Sequence, residues 1–493
     1  RVAIVARNLP EWAITFWATM NLGAIAVPLN AWWSSDEIAY GLADSGASLA
    51  VVDAARAARI SPALASLPDL RHLLVLTDGT GPPPPATTGR AEVSDFAEVL
   101  GSPDAAATPP DAAIDPDDDA TIFYTSGTTG RPKGAVGTHR NAVTNLMNLF
   151  FNAQRSTVRF GAGAFETSDE PNSTLLSVPL FHATGCLVVL VVSAASGGKI
   201  VMTHHFDAGQ ALELIERERI TGFGGVPTVA LQVLDRPDID SFDTTSVRSV
   251  WYGGAPSPPE LVRRILERFP TATPSNGYGL TETSAGVASN AGPDYVQRPD
   301  SCGPVVPVCD AAIVPEGHTD PEPPDPPLAP GTVGELWIKG PSVVRGYWNK
   351  PDETAAAFTR GWLRTGDLAR LDDEGYLYIV DRAKDVIIRG GENVYSVIVE
   401  AAIFEHPDVA DCAVVGLPHP TLGEEVCAVV VLRPGRTLDA EAISRHVAQR
   451  LGRFEVPTRV VFRAEGLPRN PQGKVLKRDL RLALAGASAD AER

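Results

Sequence analysis

The sequence predicts an α/β protein with a large N-terminal domain over residues 1–381 and a smaller α+β domain over residues 382–493. Its 493 residues exceed what one hydrophobic core usually supports, so at least two domains are expected. Apolar strand patterns alternate with amphipathic helix patterns through most of the large domain, which indicates parallel sheets covered by helices. From about Cys302 to Asp381 short strands alternate with turns, which predicts a small β-barrel. The large domain should therefore contain two α/β subdomains and this barrel.

The first α/β subdomain is predicted from the start of the chain. Val2–Val5 has a strand pattern at the very beginning, so we expect a preceding segment to be missing from this sequence. A helix pattern over Glu11–Leu22 follows, and Ser34 and Glu37 form a capping box that opens the next helix. Gly81–Asp119 is rich in proline, alanine and aspartate, and we expect a surface linker there.

A loop rich in glycine and hydroxyl groups follows the strand pattern Ala120–Phe123. Its defining residues are Thr125, Ser126, Gly127, Thr128, Thr129, Gly130 and Lys133. Glycine lets the backbone approach a ligand closely, N–H groups and hydroxyls can surround an anion, and lysine adds a point charge suited to phosphate. Gly134 stands where a Walker A loop has serine or threonine, so the pattern is not that motif. A plain turn would explain a shorter match, but the length and order of this run favour a polyphosphate-binding loop.

The second α/β subdomain is predicted from four further strand patterns. They are Thr174–Val178, Lys199–Met202, Ile220–Val226 and Val247–Tyr252. The last strand ends in the turn Gly253, Gly254, Ala255 and Pro256. We expect Ser257 to be the N-cap of the helix Leu261–Phe269, with proline at the first helical position. Taken alone, the turn indicates only the start of a helix.

Composition excludes several classes of partner. A formal net charge of −18 argues against nucleic acid and against an anionic membrane surface, because both require a basic face. The five cysteines are scattered without a Cys-x-x-Cys pair, which indicates reduced thiols, no zinc site and a cytoplasmic protein. The longest apolar run, near Cys186–Ala195, is too short to span a bilayer.

Four further motifs follow the hydroxyl-rich loop in order. They are Asn276-Gly-Tyr-Gly-Leu-Thr-Glu-Thr283, Trp362-Leu-Arg-Thr-Gly-Asp367, Asp381-Arg-Ala-Lys-Asp385 before Gly390-Gly-Glu-Asn393, and Pro471-Gln-Gly-Lys474. Over nearly the whole chain, the set resembles the adenylate-forming superfamily, which contains acyl-CoA synthetases, adenylation domains and luciferases. The resemblance implies an acid–thiol ligase that uses ATP, Mg²⁺ and CoA, with a C-terminal domain that moves during the reaction.

The resemblance gives the motifs of the large domain roles in nucleotide binding. The loop would hold the β- and γ-phosphates, and Thr281 would contact the α-phosphate. Glu282 and Thr128 would bind Mg²⁺, an ion that takes oxygen ligands and substrate phosphates. Tyr278 would stack on adenine, and Asp367 would accept hydrogen bonds from the ribose. The other nucleotide-binding residues that the resemblance implies are Gly254, Ala255, Pro256, Asn276, Gly277, Gly279 and Arg382.

The resemblance also assigns the acid site. Gly253, Gly254 and His182 would border the acid, with His182 positioning it and taking no part in acid–base chemistry. Each residue taken singly also fits a structural role, such as an Asx turn at Asp367.

The small domain has its own assigned residues. Lys474 would be the catalytic lysine that bridges the carboxylate and the α-phosphate, because a mobile cation suits charge that accumulates on phosphoryl oxygens. Lys384 would lie in the hinge between the domains, and Gly390 and Gly391 would line the approach of the CoA thiol. Asn470 and Ser396 replace a more frequent Thr and Pro, and we expect neither to contact a residue with a chemical role.

The predicted function is ATP-dependent activation of a carboxylic acid to an acyl-adenylate with release of pyrophosphate, followed by transfer to CoA. The segments near His182–Val188, Gly222–Pro227 and Trp251–Ala255 are expected to line the acid pocket, and they are mostly small and apolar. The expected acid is fatty, alicyclic or aryl, because these segments show no cation or carboxylate for a second charged group. The alternatives are an adenylation enzyme that loads a carrier protein, a fatty acyl-AMP ligase, and a non-catalytic binding protein on the same scaffold. The last would be expected to lack Lys474, Glu282 or Asp367. The oligomeric state stays open, with a homodimer as one option.

Overall fold

The computed structural model describes residues 1–77, 91–101, 108, 111–125, 131–161, 171–255, 257–470 and 473–491. Within these ranges no helix combines the length and apolar character needed to cross a membrane. All five cysteines lie in the described ranges, and none of them forms a disulfide.

The first subdomain is a sheet covered by helices. Its strands are β1 (Val2–Val5), β2 (Ala26–Pro28), β3 (Leu49–Asp53), β4 (His72–Leu76), β5 (Glu92–Asp95), β6 (Asp119–Thr125) and β7 (Lys133–Thr138). Its helices are α1 (Pro10–Asn21), α2 (Ser35–Ser45), α3 (Ala54–Ile60), α4 (Phe96–Gly101) and α5 (His139–Phe160). Over the described residues the strand order is β5-β4-β3-β1-β2-β6-β7, and only the pair β6–β7 is antiparallel. The expected strand at Val2–Val5 and the capping box at Ser34 are both present. The predicted linker is partly wrong, because β5 within it pairs with β4 and α4 follows.

The second subdomain repeats this plan. Its strands are β8 (Ser173–Leu176), β9 (Lys199–Met202), β10 (Gly222–Gly225), β11 (Ser249–Gly253), β12 (Thr273–Leu280) and β13 (Ala285–Ala291). Its helices are α6 (Val191–Ala195), preceded by a π-helical segment at Thr184–Leu190, α7 (Ala208–Glu218), α8 (Pro227–Leu234), α9 (Glu260–Arg268) and α10 (Gly292–Gln297). In the described part of the chain the strand order is β13-β12-β11-β10-β8-β9, parallel except for β12–β13.

The predicted cap at Ser257 is wrong. Helix α9 begins at Glu260 with Pro259 as its N-cap and without a side-chain cap. Two consecutive prolines explain this, since a residue that precedes proline is disfavoured in the helical conformation and proline has no N–H to donate.

The third part of the large domain is an antiparallel sheet. Its elements are β14 (Gly303–Pro304), β15 (Asp310–Val314), β16 (Gly334–Lys339), α11 (Pro351–Ala357), β17 (Phe358–Thr359), β18 (Trp362–Leu371) and β19 (Tyr376–Arg382). It takes the place of the predicted small barrel. Among the described residues its edge strands β14 and β15 do not pair with each other, so the sheet stays open; β14 is only two residues long.

The C-terminal domain is a smaller α+β unit. Its elements are β20 (Ile387–Arg389), β21 (Glu392–Val394), α12 (Ser396–Phe404), β22 (Val409–His419), β23 (Gly423–Leu432), α13 (Ala440–Ala448), β24 (Arg459–Arg463) and α14 (Lys477–Ala491). The long hairpin β22–β23 has one core with α12 and α13 on one face and a second core with Leu467 and Leu480 on the other. The predicted division into a large α/β part and a small α+β part is confirmed.

Candidate active site between the two domains

The C-terminal ends of strands β10 and β11 meet a loop of the small domain. Gly254 directly follows β11, and a Cβ atom placed on it would lie 3.7 Å from Cε of Lys474. Gly473 is also close to the large domain, since a Cβ atom on it would lie 2.6 Å from Cγ2 of Val226. Lys474 is therefore inserted where the parallel strands end, which is the usual ligand-binding edge of an open α/β sheet.

The ammonium group of Lys474 lies in a partly closed, charged environment. Burial and the nearby positive charge of Arg382 lower its pKa to about 8, while Asp367 and Glu282 act in the opposite direction. The site thus holds a lysine whose charge is only partly balanced by carboxylates.

The loop that presents Lys474 is fixed by hydrogen bonds. The side-chain oxygen of Asn470 accepts from the Lys474 N–H at 2.9 Å, and the Asn470 N–H donates to the Lys474 carbonyl at 2.9 Å. Arg469 donates to the carbonyl of Gly473 and forms a 2.6 Å ion pair with Asp411. The expectation that Asn470 contacts no residue with a chemical role is therefore wrong, because its amide closes the turn that holds Lys474.

Tyr278 on β12 forms a hydrogen-bonded group with Asp367 and Arg382 on the third sheet, in which the Arg382 side chain stays 43% exposed. Asp367 on β18 is only 3% exposed. It accepts a hydrogen bond from the Tyr278 hydroxyl at 2.7 Å and pairs with Nε of Arg382 at 2.9 Å. This carboxylate raises the pKa of Arg382, and burial followed by the same carboxylate raises the pKa of Tyr278. All three were predicted from sequence, and the structure brings them together.

A second group joins Glu282 to Lys133 through an aromatic ring. The Tyr347 hydroxyl donates to Oε1 of Glu282 at 2.8 Å. The ammonium of Lys133 lies 5.2 Å from the centre of the Tyr347 ring, a cation–π distance. Sequence reasoning missed Tyr347; its place in Gly346-Tyr347-Trp348, a glycine followed by two aromatic residues, was the available signal.

His182 lies close enough to Lys474 to be affected by its charge. Burial, and then the charge of Lys474, lower its pKa to about 3, so the imidazole stays neutral. Its ring is 4.5 Å from that of Phe181, which in turn contacts Trp32 edge-on at 5.1 Å. The imidazole is thus neutral and set among aromatic rings, and its role in positioning the acid stays a prediction.

Most of the remaining residues that were predicted to bind the nucleotide lie on β12 or directly after it. Asn276, Gly277 and Gly279 are on that strand, and Thr281 begins the 3-10 turn after it. A side chain at Gly279 would place its Cβ atom 1.6 Å from the carbonyl oxygen of Ala285, so only glycine fits there. Thr125 ends β6, and Ala255 follows Gly254. The predictions for Ser126, Gly127, Thr128, Thr129, Gly130 and Pro256 lie outside the described residues.

The predicted hinge and thiol-binding segments are adjacent in the chain. Lys384 lies in the 3-10 turn Ala383–Asp385 between β19 and β20. Gly390 and Gly391 form the exposed two-residue turn of the hairpin β20–β21, with φ of +62° and +88°. Two positive φ angles are what a tight hairpin turn of the primed type requires, and glycine adopts them without strain.

A buried polar network, which the sequence did not reveal, flanks the hinge. Both the N–H and the hydroxyl of Ser396 at the start of α12 donate to Oδ2 of Asp381, the hydroxyl at 2.8 Å. Lys477 donates to the Ser396 hydroxyl at 2.7 Å and pairs with Glu400 at 2.7 Å. Neither Asp381 nor Lys477 was assigned a chemical role, so these contacts do not contradict the expectation for Ser396; its side chain ties the last strand of the large domain to the small domain.

The fold and this site define a two-domain enzyme in which the small domain delivers a cation to the strand ends of the large one. Residues 1–348 match the family model described as AMP-binding enzyme, and residues 398–474 match its C-terminal domain. The chain belongs to the AMP-binding enzyme family.

Several known proteins resemble the chain over most of its length. A feruloyl-CoA synthase from Amycolatopsis is 35% identical, covering 98% of this chain and 88% of that protein. A long-chain-fatty-acid–CoA ligase, FadD13 of Mycobacterium tuberculosis, is 34% identical, covering 98% and 87%. The structure of an anthranilate–CoA ligase, AuaEII, in complex with anthranoyl-AMP has 25% sequence identity and a TM-score of 0.85, covering 99% and 88%. The predicted superfamily and the predicted class of acid–thiol ligase are confirmed.

Proposed function

We propose that the chain activates a carboxylic acid with ATP and transfers the acyl group to CoA. The observation that supports this most directly is the position of Lys474 at Gly254, among Asp367, Glu282 and Arg382. The sequence similarity to acyl-CoA ligases supports the same reaction.

The first half-reaction forms the acyl-adenylate. A carboxylate oxygen attacks the α-phosphorus of ATP, the bond from that phosphorus to the bridging oxygen breaks, and pyrophosphate leaves. Lys474 would stabilise the negative charge that develops between the carboxylate and the α-phosphate. Thr281 would contact the α-phosphate, and Asp367 would hold the ribose while Tyr278 and Arg382 fix its carboxylate in place.

The Mg²⁺ expected with ATP fits the residues present. Within the described part of the chain, Glu282 accepts one side-chain hydrogen bond, from Tyr347 to Oε1, so its carboxylate keeps lone pairs for a metal. Mg²⁺ is usually held by one or two carboxylates plus substrate phosphates, and this site would supply the protein carboxylate. The ion would neutralise charge on the phosphates of ATP, and Tyr347 would orient Glu282 toward it.

The second half-reaction forms the thioester. The sulfur of CoA attacks the carbonyl carbon, and AMP leaves with the electron pair of the broken carbon–oxygen bond. Lys474 would have to leave the site first, by rotation of the small domain about the segment with Lys384. The exposed turn at Gly390 and Gly391 would then line the approach of the thiol. Five free cysteines suit a reducing compartment, and we place the reaction in the cytoplasm, by a monomer or a homodimer.

The proposed reaction is tested by pyrophosphate release across a panel of acids, with and without CoA. We expect release with a suitable acid alone, and acyl-CoA and AMP when CoA is added. A carrier-loading enzyme would release pyrophosphate but make no acyl-CoA. A non-catalytic binding protein would bind ATP without releasing pyrophosphate from any acid.

The rate of adenylation should fall as the pH rises through about 8. Lys474 acts in its cationic form, and its pKa in the free enzyme is lowered to about 8. The pH dependence of kcat/KM reports the pKa values of groups in the free enzyme. Above that pH, kcat/KM for ATP should decrease about tenfold per pH unit. Thioester formation from supplied acyl-AMP should show no decrease with this pKa. A flat adenylation profile between pH about 7 and 10 would contradict the assigned role of Lys474.

Replacing Lys133 by alanine should raise the KM for ATP. Its ammonium lies on the ring of Tyr347, which bonds the proposed metal ligand, so the change removes a phosphate-directed charge and loosens Glu282. We expect an increase of about tenfold, typical of one lost charged contact. Lys339→Ala is the matched control, because Lys339 contacts the ring of Trp362 in the third sheet at 5.8 Å. Equal KM values for the two variants would argue against a phosphate role.

A further inference from the structure

Helix α8 of the large domain contacts the small domain at both of its ends. Its N-cap is Val226 and its C-cap is Asp235. At the first end lies the loop of Lys474, since a Cβ atom on Gly473 would be 2.6 Å from Cγ2 of Val226. At the other end, Oδ1 of Asp235 pairs with Nη1 of Arg433 at 2.6 Å. A helix rises about 1.5 Å per residue, so the two contacts are about 13 Å apart.

The contact at the second end joins three charged side chains. The carboxylate oxygen that binds Arg433 also binds Nη2 of Arg264 on α9, at 2.5 Å. The side chains of Asp235 and Arg433 are only partly exposed, so water screens their attraction less than at an open surface. Within the small domain, Nε of Arg433 donates to the carbonyl of Pro407 at 2.9 Å. The small domain therefore orients this guanidinium toward Asp235.

Two cavities lie between the domains beside this ion pair. The larger, of about 380 Å³, has residues of α8 and of the start of β22 in its walls, among them Thr228, Leu231, Gln232, Asp235, Ala410 and Asp411. The smaller, of about 280 Å³, includes Arg264 and Arg433 in its wall. Apolar groups on opposite sides of a cavity lose their mutual contacts. The ion pair is therefore a main contact between the domains at this end of α8.

The small domain connects Arg433 to Lys474 through its long hairpin. Arg433 directly follows β23, and Val431 on that strand is paired with Asp411 on β22. Asp411 binds Arg469 at 2.6 Å, and Arg469 donates to the carbonyl of the residue before Lys474. The two long strands are hydrogen-bonded over most of their length, so they move as one body. The position of Arg433 against α8 therefore affects the position of Lys474.

We propose that Arg433 is a positioning residue for Lys474, and that its ion pair with Asp235 holds the small domain in the arrangement that forms the acyl-adenylate. This role rests on the proposed function, in which Lys474 leaves the site before the thioester forms. The contacts at Val226 and Asp235 and the chain connection at Lys384 are three points, the smallest number that fixes one rigid body on another. Without the ion pair, the small domain pivots about the line through the other two points.

The test measures the ratio of the two half-reaction rates, by pyrophosphate release for the first and by acyl-CoA formation from supplied acyl-AMP for the second. Each rate is proportional to the population of its own domain arrangement, so the ratio follows the equilibrium between the two arrangements. Arg433→Ala should lower the ratio of the first rate to the second about fivefold, the upper range for a partly exposed ion pair. Arg433→Lys keeps the positive charge and should retain part of the wild-type ratio.

Two further variants make the result specific to this contact. Asp235→Asn should shift the ratio by a similar factor, and its combination with Arg433→Ala should shift it no further, because both changes remove the same contact. Arg445→Ala is the matched control, since Arg445 pairs with Glu441 inside helix α13 at 2.8 Å. It should leave the ratio unchanged. The wild-type ratio in Arg433→Ala, including equal losses in both half-reactions, would overturn the proposed role.

A distance measurement tests the same role without turnover. Asp240→Cys on the large domain and Glu465→Cys on the small domain replace exposed side chains and accept spin labels for double electron–electron resonance. The protein without these two changes gives the background from its own thiols. Arg433→Ala should increase the share of a second distance relative to the wild type and to Arg445→Ala. Identical distance distributions in all three would overturn the proposed role.

The two measurements also separate this role from the proposed function. If the wild type releases no pyrophosphate with any acid, yet Arg433→Ala shifts the distance distribution, the proposed reaction is refuted and Arg433 still positions the small domain. If the wild type makes acyl-CoA and Arg433→Ala changes neither the ratio nor the distances, the reaction stands and the role of Arg433 is wrong.

Discussion

Replacing Lys474 by alanine is expected to slow acyl-adenylate formation by about a hundred- to a thousandfold, the usual effect of removing one charge-stabilising donor. Its ammonium is the cation that the small domain inserts at Gly254, next to Asp367 and Glu282. Thioester formation from chemically prepared acyl-AMP should continue at close to the wild-type rate, because that half-reaction does not use this lysine. The measurement is pyrophosphate release for the first half and acyl-CoA formation for the second.

Two further variants make the result specific. Asn470→Ala removes the amide that fixes the Lys474 turn, and it should give a smaller loss of the first half-reaction alone. Lys199→Ala removes an exposed lysine paired with Glu218 and should change neither half. Equal losses in both half-reactions for Lys474→Ala would contradict the proposed role.

Replacing Asp367 by alanine is expected to raise the KM for ATP by about a hundredfold. The change removes the proposed ribose acceptor and leaves the buried Tyr278 hydroxyl without its acceptor. An unsatisfied buried polar group costs about 1–3 kcal/mol, so the free energy of unfolding should fall by a similar amount. Steady-state kinetics with varied ATP and chemical denaturation measure the two effects.

The matched control lies in the same sheet. The carboxylate of Asp372 accepts a hydrogen bond from the Tyr378 hydroxyl at 3.0 Å, which repeats the Tyr–Asp contact away from Lys474. Asp372→Ala should leave the KM for ATP unchanged. Tyr278→Phe keeps the Asp367 carboxylate and removes only one hydroxyl, so its effect on KM should be much smaller. If Asp367→Ala and Asp372→Ala have the same KM for ATP, the ribose assignment is wrong.

Much of the fold was predictable because its sheets follow simple local patterns. Runs such as Val2–Val5 and Lys199–Met202 are strands with the predicted bounds. Helix α5 runs from His139 to Phe160 and is harder to delimit from the sequence. Its buried face is formed by Asn145, Asn148 and Asn152, while Met147 is 57% exposed. The usual rule that places apolar residues inside therefore gave no signal for its second half.

The residues of the candidate site that stand in recognisable motifs were predictable from the sequence. The contacts between residues far apart in the chain were not. Asp367, Arg382 and Tyr278 stand in different motifs, and the sequence singled out each of them. Their partners are another matter, because Tyr347 reaches Glu282 across 65 positions and Lys477 reaches Ser396 across 81. Such contacts depend on how sheets and domains pack, and local spacing does not encode them.

The buried cysteines have a consequence for an enzyme that makes a reactive mixed anhydride. A thiolate is the nucleophilic form of cysteine, and any accessible thiolate of the protein would compete with CoA for the acyl group. Burial raises the pKa of Cys186, Cys302, Cys309, Cys412 and Cys427. All five stay protonated near neutral pH, so the chain protects itself from self-acylation while it handles an activated acid meant for a thiol.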